Sequence, residues 1–256
     1  MNAHYLLAFA VFALVFVSAC TAPEQAYDAL RTGNVTIKWY GHATVEITGR
    51  TARIYTDPFA LPSAFNRTAE FVLLTHDHFD HCDVNKTEAL IKQNTNSTFN
   101  EYDTKIFGPF GCVEKIRGYT NSMVAGDFFY YDLYKVNITA VDAYNIGENY
   151  HPQGEGLGYV VELEGKRIYI AGDTDLIPEM TSLKNIDVAV LPIGGTYTMN
   201  VEEAAEAARL IGPKAVIPIH YNSDDFGIGN IDADPRRLQA LLDGTGIDVV
   251  VLERAR

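Results

Sequence analysis

His76-Asp77-His78-Phe79-Asp80-His81 packs three imidazoles and two carboxylates into six residues. The apolar run Phe71-Val72-Leu73-Leu74 comes just before it and reads as a buried strand. Four side chains of metal-ligand type, His76, His78, Asp80 and His81, therefore collect in the turn at a strand's end. Burying such a crowd without partners is costly. A metal ion is the simplest partner that makes the crowding favourable.

The same arrangement recurs elsewhere in the chain. Asp57 ends Ile54-Tyr55-Thr56, Asp173 ends the run Arg167–Gly172, and His220 ends Ala215-Val216-Ile217-Pro218-Ile219. His42 and His151 lie in turns beside strands. The seventh histidine, His4, sits in an apolar leader and is set aside. Polar groups at strand ends, over a hydrophobic sheet, are where α/β sites form.

Period-two alternation marks Val35–Tyr40 as a half-buried strand. Further strands are expected at 44–47, 53–55, 106–107, 122–124, 128–134, 136–141, 158–163, 167–171, 187–191 and 248–252. Asp83 caps a helix running to Leu90-Ile91, and a short helix is expected over 111–118. Asn200 with Glu203 opens a helix that stops at Gly212-Pro213. Asp234 precedes another over Pro235–Leu242. Strands mixed with helices that must cover sheet faces give a layered α/β body.

At 256 residues and 47% hydrophobic, with no linker between halves, the chain suits one large domain over 34–256. The net charge is −13 and no Lys/Arg cluster exists, which argues against binding a nucleic-acid backbone. The sequence does not set the oligomeric state.

Residues 1–20 differ from the rest. Tyr5–Ala19 is almost wholly apolar, too short to span a bilayer, and ends in Val17-Ser18-Ala19-Cys20. This reads as a signal peptide with a lipobox-like end, or as an uncleaved anchor, followed by a polar tether over 21–33. Either way the body is expected outside the membrane and tied to it. Five Asn-x-Ser/Thr sequons, at Asn34, Asn66, Asn85, Asn96 and Asn137, exceed the roughly 1.5 that composition alone gives. They fit a glycosylated exported surface, or merely an Asn/Thr-rich one. Cys82 and Cys112 pair in an oxidising compartment or stay free; the sequence leaves both open.

The order Asp57, His76-x-His78-x-Asp80-His81, His151, Asp173, His220 resembles the metallo-β-lactamase superfamily. The openers Trp39-Tyr40-Gly41-His42-Ala43 and Thr56-Asp57-Pro58-Phe59 resemble its branch of ascorbate-6-phosphate lactonases and, more distantly, N-acyl-phosphatidylethanolamine phospholipases D. The resemblance implies a four-layer αββα sandwich with a two-metal cleft at one edge. It implies His76, His78 and His151 on a first metal, Asp80, His81 and His220 on a second, and Asp173 bridging. Asp57 would brace the ligand turn, and His42 would lie near the site as a substrate contact or a support. Two divalent ions, zinc or else manganese or iron, would share a hydroxide that attacks an ester, lactone or phosphodiester. Asp80, Asp173 and His42 are then the catalytic set. The centre's formal charge is positive, so a small anionic substrate is expected.

Asp175 in Gly172-Asp173-Thr174-Asp175 rivals Asp173, and Asn145 stands where many relatives place a histidine. Gly194-Gly195-Thr196-Tyr197-Thr198 is a simple turn or a backbone approach to substrate. Tyr197 and Tyr221 either face the cleft or pack. A phospholipase-D-like diesterase at a membrane, and a non-catalytic metal-containing surface binding protein, are the competing functions.

Overall fold

The computed structural model describes residues 27–92, 103–147, 150–229 and 231–256. The leader at 1–20, residues 21–26 of the tether, and the sequon at Asn96 lie outside them. Among the described residues no helix is long and apolar enough to cross a membrane.

Among the described residues fourteen strands form two sheets of seven, each ordered as the chain runs. The first holds Leu30–Thr32 (β1), Val35–Gly41 (β2), Thr44–Thr48 (β3), Arg53–Thr56 (β4), Phe71–Leu73 (β5), Lys105–Gly108 (β6) and Tyr119–Ser122 (β7). The second holds Phe128–Tyr131 (β8), Val136–Ala143 (β9), Gly156–Leu163 (β10), Lys166–Ile170 (β11), Val188–Pro192 (β12), Ala215–Ile219 (β13) and Asp248–Val249 (β14). In each sheet the first three pairings are antiparallel and the last three parallel. One topology is therefore used twice, although no sequence repeat betrays it.

Parity along the strands builds the layers. In β5, Phe71 and Leu73 join the core between the sheets, while Val72 points to the opposite face with Tyr55 and Ile106. That outer face is covered by Val84–Ala89 (α1) and Phe110–Val113 (α2), through Cys112, Val113 and the C-cap residue Leu90. On the other side Val201–Ile211 (α3) and Pro235–Leu242 (α4) bury Ala204, Ala208, Leu238 and Leu242. The result is the expected αββα sandwich.

The caps work as expected. Asp83 accepts from the Lys86 amide at 3.0 Å, and Asn200 and Glu203 close a reciprocal capping box. Five expectations need correction. The strand read over 128–134 stops at Tyr131, where the chain turns, and the helix read over 111–118 covers only Phe110–Val113. Leu30–Thr32, read as tether, is an edge strand on β2, joined through Gly33-Asn34. The strand read at 122–124 is β7, because residues 119–122 pair with β6 and the Val124 amide turns to Asp127 instead. The last strand ends at Val249, short of Leu252. Cys82 and Cys112 form a disulfide.

Candidate metal centre

Every site residue leaves a strand at the same edge of the sandwich. His42 follows β2, Asp57 follows β4, Thr75–His81 follow β5, Asn145 and His151 follow β9, Asp173 follows β11, and His220 follows β13. Three of them, His42 (φ 47°), Asp57 (φ 40°) and His220 (φ 57°), have left-handed backbones. Such conformations persist in side-chain-bearing residues only where the surroundings hold them. Here the His42 carbonyl accepts from Trp39 Nε1 at 2.9 Å and from the His220 amide at 3.0 Å. Those bonds lock two of the strained turns to each other.

The described residues bring their ligand-type atoms into three overlapping groups, each within 4.8 Å: His76, His78 and His151; His76, His81 and Asp173; His42, Asp80, His81 and His220. The first is the trio expected on one metal. The third contains the expected Asp80, His81 and His220 and adds His42. Asp173 stands between them, its Oδ2 at 3.1 Å from His220 Nε2, 3.4 Å from His81 Nε2 and 3.5 Å from His151 Nε2.

Hydrogen bonds set which nitrogen of each ring faces inward. Asp57 accepts from the Thr75 amide at 2.8 Å and the Thr75 hydroxyl at 2.7 Å, and its Oδ2 is 2.8 Å from His81 Nδ1. His81 Nε2 is thereby turned to the centre. Asn145 Oδ1 lies 2.8 Å from His151 Nδ1 and accepts from the His151 amide at 3.1 Å, which does the same for His151 Nε2. His42 reaches Asp80 Oδ2 through Nε2 at 3.1 Å and the buried Ser223 hydroxyl through Nδ1 at 2.9 Å.

The unpartnered atoms are the test of fit. His81 Nε2, His151 Nε2 and Asp173 Oδ1 are buried without a hydrogen-bond partner. Imidazole lone pairs facing a carboxylate repel unless a proton or cation sits between them. Cations would satisfy all three atoms, and imidazole with carboxylate is a donor set that suits zinc, with manganese or iron as second choices.

The electrostatics point the same way. Burial pushes His42 down to about 4, against the pull of Asp80. Burial likewise lowers His76 and His151. Burial would raise Asp80, but the hydrogen bond from His42 and the charge of His81 hold it at about 2. Burial opposes ionisation of Asp173 too, yet His220 and His81 keep it well below the usual carboxylate range. His81 moves the other way: burial opposes its charge, and Asp173 and Asp57 outweigh it. Lowered His76 and His151 beside ionised carboxylates are what a cation needs, and a cation on His81 Nε2 would displace the proton that Asp173 and Asp57 favour there.

The rivalry at Asp173 is settled by geometry. Asp175 accepts from Asn145 Nδ2 at 2.9 Å and the Ile146 amide at 2.7 Å. It braces Asn145 from outside the centre. The turn at Gly194 is a packing necessity: a Cβ there would lie 2.4 Å from the His220 carbonyl oxygen. Tyr197 lines the cleft, whereas Tyr221 is buried and stacks on Trp39 at 5.2 Å. The residues 128–131 are strand, as read. Sequence reasoning missed Thr75, Asn145 as an orienting group, and Ser223. Thr75 could have been found as the last residue before the hexapeptide; Ser223 carries no sequence signal.

Residues 36–220 match the family described as the beta-lactamase superfamily domain. Fold and site thus define a member of the metallo-β-lactamase superfamily. The chain is 31% identical to the UPF0173 metal-dependent hydrolase of Thermoplasma acidophilum over 86% of this chain and 96% of that one. Against the UPF0173 metal-dependent hydrolase of Pyrococcus abyssi identity is 34% at the same coverage. A crystal structure from Parabacteroides distasonis superposes with TM-score 0.73 at 33% identity, covering 88% and 98% of the two chains. The chain belongs to the UPF0173 metal-dependent hydrolase family within that superfamily.

Proposed function

We propose that this protein hydrolyses an ester-type bond, in a carboxylic ester, lactone or phosphodiester, with two divalent cations. His76, His78 and His151 would hold one, Asp80, His81 and His220 the other, and Asp173 would stand between them. The observation that carries this reading is Asp173 Oδ2, ringed by three imidazole Nε2 atoms at 3.1 to 3.5 Å. Bound zinc would supply Lewis-acid polarisation and a water acidic enough to ionise near pH 7.

The chain's own groups supply the rest. Asp57 and Asn145 keep His81 and His151 in the tautomer that faces inward. His42 positions Asp80, and Ser223 positions His42. Asp80 and Asp173, both ionised, accept the proton of the attacking water. The water oxygen bonds to the carbonyl carbon or phosphorus, the bond to the leaving oxygen breaks, and that oxygen takes a proton.

The likeness of the Trp39–Ala43 and Thr56–Phe59 segments to ascorbate-6-phosphate lactonases supports a lactone among these substrates. An anionic reacting group suits a positive centre. Export remains part of the proposal: the leader at 1–20 supports it, as does the Cys82–Cys112 disulfide, a bond that persists in oxidising compartments.

Protein purified without chelators should carry about two equivalents of transition metal by elemental analysis. It should turn over chromogenic esters, lactones or phosphodiesters, lose activity with a chelator and regain it with zinc. No stoichiometric metal would overturn the proposal. Two metals without turnover on a broad panel would favour a binding protein.

A further inference from the structure

The cleft above the centre encloses about 490 Å³. Its ionisable lining, His78, Asp80, His151, Asp173 and His220, belongs to the centre itself. The walls beyond are Phe79, Tyr150, Tyr197, Ile228 and Ile231, with Thr196 and two glycines. Among the described residues that line it, none is Lys or Arg.

This is no accident of composition. A second cleft, of about 530 Å³, gathers Lys38, Arg67, Arg254 and Arg256 with Asp28 and Glu253. The cations that line that cleft have no counterpart among the described residues lining this one. Aromatic side chains stand there instead, exposed by 70% for Phe79, 45% for Tyr150 and 41% for Tyr197. They come from three separate loops. Tyr150 and Tyr197 meet edge to face at 4.9 Å, and Phe79 rests on Phe59 at 6.1 Å. Single exposed apolar residues need no explanation, but three converging on one cleft mark a binding surface.

We infer that the cleft selects substrates whose non-reacting part is apolar and uncharged, an aryl or alkyl body carried on the hydrolysed bond, and rejects a second anionic group there. The inference rests on the hydrolase reading for the identity of the reacting bond. An alkyl body gains affinity by leaving water, about three- to fourfold per buried methylene. A distal carboxylate or phosphate would be desolvated against aromatic walls with no cation to meet it. Any negative charge on the substrate is thus confined to the group at the centre.

The test uses the zinc-loaded full chain and carboxylates, which mimic the acid product. Titration calorimetry should show affinity rising from acetate through butanoate to hexanoate by about three- to fourfold per methylene. Adipate, which is hexanoate with a second carboxylate at its far end, should bind at least about tenfold more weakly than hexanoate. Adipate binding as tightly as hexanoate, or no gain from acetate to hexanoate, overturns the inference. Tyr197→Ala keeps the backbone carbonyl that accepts from Asn145 and should lower the hexanoate-to-acetate ratio. A ratio unchanged in both Tyr197→Ala and Tyr150→Ala overturns the placement. This order of binding without any ester turnover sinks the hydrolase reading and leaves the cleft's preference standing. Turnover with preference for a distal anion does the reverse.

Discussion

Asp57 Oδ2 lies 2.8 Å from His81 Nδ1, and the two residues come from turns after different strands, β4 and β5. The contact joins the ligand turn to the sheet and decides which face of the imidazole looks inward. The other side-chain hydrogen bonds of Asp57 go to Thr75, at the start of the same turn.

Asp57→Asn should therefore preserve the fold and damage the centre. The amide oxygen can still accept from the Thr75 amide. Its nitrogen would face His81 Nδ1–H, donor against donor, and favour the wrong tautomer. Metal affinity on the His81 side should fall about 10- to 100-fold. Titration against a competing chelator reads the loss, and circular dichroism should show native secondary structure. Unchanged affinity would mean that Asp57 is only a turn former.

A separate acid–base cluster lies on the outer face of the first sheet. Glu46, 3% exposed, accepts from the hydroxyls of Tyr40 at 2.7 Å, Tyr55 at 2.8 Å and Thr48 at 2.8 Å, with Arg67 Nη1 at 3.4 Å. Burial would raise its pKa, but these partners hold it below the usual 4.5. A depressed folded-state pKa stabilises the protein above pH 4.5, and the contribution is lost as pH falls below that value. Tyr40 and Tyr55 are pushed above 10, by burial first and Glu46 second, so their contribution holds below pH 10 and fades above it. Glu46→Gln should cost about 1–3 kcal/mol near neutral pH and flatten the acid limb of the stability curve. Urea melts from pH 3 to pH 7 would show it; parallel limbs in both proteins would refute the assignment.

Much of this was legible from residue order. Crowded ligands such as His76 to His81 have no cheap burial without a cation, so their chemistry announces itself. Pro235–Leu242 and Ala215–Ile219 end where they were read, because a cap at Asp234 and the pair Gly212-Pro213 act locally. The edge strand Leu30–Thr32 escaped notice because a lone leucine beside Arg31 and Thr32 shows no alternation. The orienting bonds were invisible for another reason. Ser223 meets His42 across 181 residues, and only the packed sandwich brings them together. Asp173 and Asp175 are alike as sequence; the loop holding Asn145 decides which one faces inward.

Gly194 makes a further demand on packing. A methyl group there would sit 2.3 Å from Ile231 Cγ2, 2.4 Å from the His220 carbonyl oxygen and 3.1 Å from His220 Nδ1. The nearest backbone atom belongs to the turn that carries a site imidazole, so relief must displace His220. Gly194→Ala should destabilise by about 1–3 kcal/mol and weaken metal binding more than that loss alone explains. Gly195→Ala is the control. Unlike Gly194 it has a left-handed backbone, φ 86°, and its nearest neighbour would be Asn200 Cβ at 3.9 Å. It should cost about 1–2 kcal/mol without moving the metal affinity. Equal effects on metal from both variants would show that any added Cβ in this turn, not the approach to His220 in particular, is what matters.

The Cys82–Cys112 bond separates stability from site geometry. Cys82 is adjacent to His81, and Cys112 lies in α2, 30 residues along the chain. Closing a loop of that length restricts the unfolded chain and contributes about 3–4 kcal/mol in the entropic account. Breaking it by reduction, or by Cys82→Ser with Cys112→Ser, should lower Tm by roughly 10 °C in a domain of this size. His81 keeps its bond to Asp57 through all of this, and Thr75 keeps Asp57 in place. Metal affinity should therefore change by less than about tenfold, below the 10- to 100-fold that loss of a supporting contact such as Asp57 costs. The double-serine variant avoids a free thiol beside the centre, which could itself bind metal, so it is the cleaner reading. A Tm unmoved by the substitutions would deny the bridge a structural role. Metal lost in step with stability would show that the disulfide, rather than Asp57, holds the ligand turn.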